Sequence, residues 1–262
     1  MEHTRGSYKN KIDRHQTILR LLESQSALSV TELSKTLGIS SVTIRKDLDE
    51  LGTAGALTRV HGGAVKADPA QPVSGFNARM ELQKSAKLRI AAAAAALVED
   101  GESILMNAGS TGSYVCEALK QKKSLIVITN ALHIFNSLST CPNITVFFLG
   151  GRYDAETGTT LGDDVLEQLC KYKADKLIMG MDGVDPVAGC TSFNHVEDSI
   201  MKQMIAQAKE KILVVDDTKL GKVAFAHVSS VSDFDVIVTN ENPNKARLYE
   251  ELRRTGVRLV LV

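Results

Sequence analysis

The chain has 262 residues, 44% of them hydrophobic and 24% charged, with 31 Lys plus Arg balancing 31 Asp plus Glu. This composition supports a packed core, excludes wholesale disorder and, at this length, sets a prior of one to two domains. Neutrality excludes a histone-like cation that coats DNA over its whole surface, but not a small DNA-reading domain on a neutral body.

The four cysteines, Cys116, Cys141, Cys170 and Cys190, are far apart and form no C-x-x-C pair. That spacing is neither a zinc site nor a disulfide framework, and it fits a reducing cytoplasm. No apolar run reaches the roughly 18 residues of a membrane span, and the polar start MEHTRGSYKNK is no signal peptide. The expectation is a cytoplasmic protein with no membrane partner, no metal and no cofactor.

Residues 11–24, KIDRHQTILRLLES, carry apolar side chains near helical spacing, and the chain then turns through Gln25 to Leu28. Ser29 followed by Glu32 is a capping-box pattern for the helix VTELSKTL, whose apolar face is Val30, Leu33 and Leu37. Gly38 stands where a left-handed residue ends a helix. Ser40 or Ser41 caps the next helix, SVTIRKDLDELGTAG, with Val42 or Ile44, then Leu48 and Leu51, facing the core. Two short helices joined by Gly-Ile-Ser make a helix-turn-helix, whose second helix enters the major groove. Ser40 stands at its start, and Ser41, Thr43, Arg45 and Lys46 point outward. These are hydroxyls and cations, the types that contact base edges and phosphates. The segment LTRVHGGA (57–64) alternates and turns at Gly-Gly, which reads as a two-stranded wing carrying Arg59 and His61 near the DNA backbone or minor groove. Residues 1–66 hold ten Lys/Arg against seven Asp/Glu. Three of the acids, Asp47, Asp49 and Glu50, are expected in the distal half of the recognition helix. Winged three-helix domains also bind proteins, and that reading stands beside DNA binding.

VKADPAQPVSG, with two of the five prolines, has no hydrophobic periodicity. It divides the chain into a DNA-binding domain (1–66), a linker (67–75) and a larger domain (76–262). In that domain KSAKLRIAAAAAALVEDG reads as a helix packed closely against a neighbour. Seven runs, 102–107, 124–129, 143–149, 175–180, 211–216, 234–240 and 257–262, are nearly continuous in Val, Ile and Leu. Stretches such as 112–121, 163–172, 194–209 and 243–254 suit helices. Strands buried on both faces look like these runs, so the fold class is α/β: an N-terminal winged helix-turn-helix, then a mostly parallel sheet with helices on both sides.

Ligands of open α/β sheets bind outside the carboxyl ends of the strands. The loop Asn107-Ala-Gly109-Ser110-Thr111-Gly opens a helix, where glycine and free N–H groups favour an anion such as phosphate. Thr129-Asn130 and Gly150-Gly151 follow the next two runs. Further on come Asp182 and Asp185, then Thr191 and Asn194, the helix-start Glu197, and Lys219 in Asp-Asp-Thr-Lys. Converging, these loops offer hydroxyls, carboxylates and a lysine to a polyhydroxylated phosphate ester. Each also has a plain reading. Asp after a strand commonly caps a turn, Glu at a helix start is favoured by the dipole alone, and Lys219 can be a surface lysine.

ELSKTLGISSVTIRKDLDELGTAGALTRVHGGAV resembles the N-terminal signature of the DeoR family of bacterial transcriptional regulators, in which an S-x-x-T-I-R-[RK]-D-L helix precedes an arginine and an H-G-G-A wing. The larger domain resembles the family's sensor domain, which is related to ribose-5-phosphate isomerase and coenzyme A transferases. The resemblance runs through F-N-A-R (76–79), N-A-G-S-T (107–111), I-T-N (128–130), G-G (150–151), M-G-M-D-G-V-D (179–185) and D-D-T-K (216–219). ADKLIMGMDGVDPVAGCTSFN and GFNARMELQKSAKLRIA are similar to repressors of the galactitol and glucitol operons. Asn107 stands where the family loop usually has Asp, and Asp217 where a hydroxyl residue often follows Asp216.

The resemblance implies that Thr43, Arg45 and Lys46 help read the operator of a carbohydrate-catabolic operon. Paired half-sites call for a homodimer or homotetramer. A phosphorylated sugar or polyol relieves repression only by preferring the DNA-incompetent arrangement. The rival reading is a sugar-phosphate isomerase fused to a DNA-binding module, with Asp182, Asp185, Glu197 and Lys219 as base and enediolate-stabilising groups. Asp182-Gly-Val-Asp185 resembles the acidic loop of ribose-5-phosphate isomerase, but CTSFNHVEDS replaces the glycine-rich, lysine-bearing stretch that follows there. No residue is therefore assigned a catalytic role.

Overall fold

The computed structural model describes residues 11–262 apart from 26, 54–55, 61, 67–75 and 194. The chain divides into two compact units, Met1–Gly75 and Phe76–Val262.

The first unit contains helix α1 (Lys11–Ser24), strand β1 (Ala27–Ser29), helices α2 (Val30–Leu37) and α3 (Ser41–Thr53), and the hairpin of β2 (Leu57–Val60) and β3 (Gly63–Lys66). Helix α2 starts at a reciprocal cap. The Ser29 hydroxyl accepts from the Glu32 N–H at 3.1 Å, and the Glu32 carboxylate accepts from the Ser29 N–H at 2.8 Å. Gly38 closes the helix in the left-handed conformation. Ile18, Leu22, Leu33, Ile44, Leu48 and Leu51 share a core with Leu57 and Ala64 of the hairpin. The core position of α3 is thus Ile44, and Val42 points outward, 72% exposed.

The turn expected at Gln25–Leu28 gives way to β1, which extends the wing into a sheet of order β1-β3-β2. Three residues are too few to show a period; the strand exists because β3 offers it a ladder, Ala27 opposite Val65 and Ser29 opposite Gly63. A Cβ on Gly63 would lie 2.3 Å from the Leu28 carbonyl oxygen, so only glycine permits the approach.

The second unit opens with helices α4 (Phe76–Glu81) and α5 (Lys84–Ala96), strand β4 (Ser103–Met106), α6 (Ser110–Leu119), β5 (Leu125–Thr129), α7 (Leu132–Leu138) and β6 (Ile144–Phe148). A hairpin of β7 (Arg152–Asp154) and β8 (Thr159–Leu161) follows, then α8 (Asp163–Leu169), β9 (Ala174–Met179) and a second hairpin of β10 (Gly183–Asp185) and β11 (Gly189–Ser192). The chain ends with α9 (Asp198–Ala206), β12 (Ala208–Val214), β13 (Ala226–Ser229), β14 (Val236–Thr239), α10 (Ala246–Arg254) and β15 (Arg258–Leu261).

Each of the seven apolar runs supplies one strand of a single sheet, ordered β15-β14-β12-β9-β4-β5-β6, in which every pairing is parallel. Leu105, Leu177, Leu213 and Ile237 pack toward α8, α9 and α10. Their neighbours Ile104, Ile178, Ile212 and Val236 pack toward α5, α6 and α7. Both faces are covered, which is why the runs are continuous rather than alternating. The alanines of α5 are the close-packed face expected, with Ala91, Ala94 and Ala95 buried.

Several bounds differ from the sequence reading. The helix expected over 194–209 ends at Ala206, and β12 begins at Ala208, because pairing with β9 (Ala208 opposite Ala174) carries the strand past its apolar run. The stretches 181–185 and 189–194, read as loops, contain β10 and β11, which join β13 in a small antiparallel sheet.

From β4 the sheet grows outward through β5 and β6. It then returns to the other side of β4 with β9 and continues through β12, β14 and β15. Strand order therefore reverses between β4 and β9, and the crevice outside such a switch point is where open α/β sheets bind ligands.

Candidate functional site

At the switch point Asn107 joins the loops after β4 and β9. Its Nδ2 donates to the Gly180 carbonyl at 3.1 Å, and its Oδ1 accepts from the Gly180 N–H at 2.9 Å. One strand over, the buried Thr129 hydroxyl donates to the Met106 carbonyl at 2.8 Å and accepts from the Ala131 N–H at 3.1 Å. Asn130 Nδ2 donates to the Thr160 carbonyl at 2.9 Å. These side chains stitch the ends of β4, β5, β8 and β9 into one rim.

The rim carries two sources of positive potential. Helix α6 begins after Gly109 with no side-chain cap, leaving the first-turn N–H groups of Ser110 and Thr111 and the positive helix end at the carboxyl edge of β4. The second source is Lys87 on α5. It is 3% exposed, and its ammonium donates to the Arg79 carbonyl oxygen. Burial pushes its pKa down, and the charges acting on it are Asp216, Lys219 and Arg79. Lys87 is thus acted on by one carboxylate and two further cations. Asp216 itself accepts from the Thr218 N–H at 3.0 Å. Among the described residues, neither the Arg79 guanidinium nor the Lys219 ammonium has a hydrogen-bond or ion-pair partner. Of the trio only Lys219 was a sequence candidate. The signal for Lys87 was its spacing from Ala91 and Ala94, which puts a lysine in the buried stripe of an alanine helix.

Asp217 has a different task. Its carboxylate accepts from Asn240 Nδ2 and Asn242 Nδ2, each at 2.7 Å, and its N–H donates to Asn240 Oδ1 at 2.9 Å. It anchors the 216–219 turn to the end of β14.

The remaining candidates divide between rim and scaffold. Asp182 accepts from the Phe193 N–H at 3.1 Å and the Ser192 hydroxyl at 3.4 Å. Asp185 accepts from the N–H groups of Val187 (2.9 Å) and Ala188 (2.8 Å), closing the β10–β11 turn. Thr191 holds the small sheet, donating to the Gly183 carbonyl at 3.3 Å and accepting from the Ala224 N–H at 2.8 Å. Gly150 is bracketed by the Gln168 side chain at 3.0 and 2.9 Å. A Cβ on Gly151 would lie 2.8 Å from the Leu161 carbonyl oxygen and 2.9 Å from Val165 Cγ2, so packing against α8 accounts for that glycine. Glu197 accepts from the Thr159 hydroxyl at 2.8 Å. Asn194 lies outside the described residues.

On α3, Ser40 is the cap. Its hydroxyl accepts from the Thr43 N–H at 3.2 Å and lies 2.9 Å from the Thr43 hydroxyl. Ser41 is half-buried, and Arg45 and Lys46 are exposed. Asp47, expected in the distal half of the recognition helix, is buried and ties α3 to α1. Arg14 grips both of its oxygens, Nη2 at 2.7 Å, and His15 Nε2 stands 3.1 Å away. Burial pushes the Asp47 carboxyl up, but the Arg14 and His15 bonds outweigh it and hold the pKa below the usual range. His15, Asp47 and Glu50 are grouped closely enough for a metal ion. Arg14 occupies Asp47 and Lys11 pairs with Glu50, so the group is an ion-pair cluster. The wing strands are present, but the Arg59 side chain and His61 lie outside the described residues.

The DeoR-like helix-turn-helix domain matches residues 14–70, and the DeoR C terminal sensor domain matches residues 82–241. The HTH-type transcriptional repressor GlcR of Bacillus subtilis is 29% identical over 95% of this chain and 95% of the relative. The glycerol-3-phosphate regulon repressor of Escherichia coli is 30% identical over 88% of this chain and 91% of the relative. A ribose 5-phosphate isomerase A from Methanocaldococcus jannaschii superposes with a TM-score of 0.40 and 19% identity, over 53% of this chain and 55% of that one.

Proposed function

The chain belongs to the DeoR family of transcriptional regulators, and from that premise we propose that it represses a carbohydrate-catabolic operon and is released by a phosphorylated sugar or polyol. Helix α3 and the wing grip operator DNA, with Arg45 and Lys46 on bases and phosphates. The effector occupies the crevice outside β4 and β9. The observation that carries this reading is the buried Lys87, bonded to the Arg79 carbonyl and acted on by Asp216, Lys219 and Arg79, in the unit whose α6 presents an uncapped N-terminus.

Strands β4 and β12 are separated only by β9, so the 107–111 and 216–219 loops stand roughly 10 Å apart. A phosphate at the cations leaves hydroxyls within reach of Ser110, Thr111 and Asp182. A relative named for the glycerol-3-phosphate regulon supports this class of ligand, since that ester is a phosphorylated polyol. The engagement of Asp185 and Glu197 by scaffold groups supports a sensor without turnover. The protein works in the cytoplasm as a homodimer or homotetramer, since paired half-sites need paired recognition helices. Effector coupling of 1–3 kcal/mol would change operator affinity roughly 5- to 150-fold.

The test is a mobility shift with DNA from upstream of the protein's own operon, followed by titration with phosphorylated hexoses, hexitols and glycerol. The expected result is a low-salt shift reversed by one phosphate ester and not by its free sugar. Absence of any shift, or steady conversion of an ester, would overturn the reading.

A further inference from the structure

Helix α3 exposes an aliphatic side chain on the face that carries its cations. Val42 is 72% exposed. Arg45 and Lys46, three and four residues on, are exposed beside it on the same face. The core of α3 is complete without it, since Ile44, Leu48 and Leu51 are buried. A β-branched residue gains nothing from a solvated helix surface. The neighbouring hydroxyls are partly committed: Ser40 caps the helix and lies against the Thr43 hydroxyl.

We propose that Val42 reads a thymine, its methyl groups meeting the C5-methyl of that base in the major groove while Arg45 and Lys46 hold neighbouring bases and phosphates. This rests on the DNA-binding reading. Residues at the start of a recognition helix are the ones that reach base edges. In the major groove the thymine methyl is the one apolar group on offer, and the other bases present donors or acceptors that a valine would leave unpaired. Two flanking cations suit a polyanion, and a single aliphatic side chain between them is too small a patch to dock a protein.

The experiment selects binding sites from a random duplex library with the full-length protein. Each thymine of the recovered site is then replaced, one at a time, by deoxyuridine, which lacks only the methyl. One thymine per half-site is expected to lose about fourfold in affinity on replacement. Val42→Ala should weaken binding to the thymine site by a similar factor and become indifferent to uracil at that step, whereas Arg45→Ala should bind more weakly yet keep the uracil penalty. If a sequence is selected but uracil is tolerated at every position, or Val42→Ala retains the penalty, the Val42 assignment falls and DNA reading stands. Recovery of no sequence removes both.

Discussion

Asn107 and Gly180 are bonded reciprocally across the point where strand order reverses, the Asn107 amide donating at 3.1 Å and accepting at 2.9 Å. An amide carries both a donor and an acceptor on one planar end, whereas an ionised carboxylate only accepts. Asn107→Asp sets a carboxylate against the Gly180 carbonyl oxygen. It should cost about 1–3 kcal/mol at pH 7, seen as a lower urea midpoint for the sensor unit. Repulsion raises the introduced carboxyl's folded pKa, so the deficit should shrink as pH falls through it and a donor returns. Equal midpoints at pH 7 would show the pair to be incidental.

Lys87 and Lys219 should be needed for the effector and dispensable for DNA. Lys87→Met keeps the buried volume and removes the charge; Lys219→Ala removes a cation that has no hydrogen-bond or ion-pair partner among the described residues. Each should weaken binding of the phosphate ester roughly 10- to 150-fold, the value of a charged hydrogen bond, and give a repressor that holds DNA but ignores inducer. Burial pushes the Lys87 pKa down, and a bound anion favours its charged form. Ligand affinity should therefore fall as pH rises through the depressed pKa, and Lys87→Met should flatten that slope. Calorimetry across alkaline pH checks both; unchanged affinity would misplace the site.

The seven strands of the large sheet were legible because burial on both faces leaves continuous Val, Ile and Leu runs. The α2 cap was legible because Ser29 and Glu32 bond locally. Strand β1 and the β10–β11 hairpin were not, since strands of three or four residues show no period and these are held by partners distant in sequence, β3 for β1 and β13 for β11. The position proposed for the site follows from topology, but its proposed composition does not. Turn-forming and ligand-binding loops use the same residues, so Asp185 and Thr191 looked no different from Asp182. Lys87 was hidden because an alanine-rich helix gives little contrast between its faces.

The Arg14–Asp47 pair and Arg45 should separate stability from recognition. The Asp47 and Arg14 side chains are 3% and 14% exposed, so Asp47→Ala strands a largely buried cation and should cost about 3 kcal/mol or more. Arg45 is exposed, and Arg45→Ala should stay within about 0.5 kcal/mol of the parent while weakening operator binding by about 1–3 kcal/mol. Unfolding monitored in the N-terminal unit and a shift assay on the same samples check the contrast. Loss of stability in Arg45→Ala would make that residue structural.

His133 should make the sensor unit acid-sensitive well above the carboxylate range. Its ring packs against Phe76 at a 44° tilt, with centroids 4.7 Å apart. It faces a cavity of about 160 Å³ lined also by Met80, Tyr114, Cys116, Glu117 and Ile134. Burial, reinforced by Arg79, pushes its pKa down from 6.5 to about 4. Between these values the unfolded chain binds a proton that the folded chain refuses, so stability falls as pH drops through the window. From pH 6.5 to 5 the loss should be about 1.5 kcal/mol. Of the depressed carboxylates, Asp47 and Asp175 lose their contribution as pH falls below unfolded values near 3.8, and Glu32 and Glu117 below 4.5, so their losses fall mainly below this interval. His133→Phe keeps an aromatic ring against Phe76 and deletes the titrating group. Its urea midpoint should decline less than the parent's between pH 7 and 5. Parallel declines would show that His133 protonates in the fold as readily as in the unfolded chain.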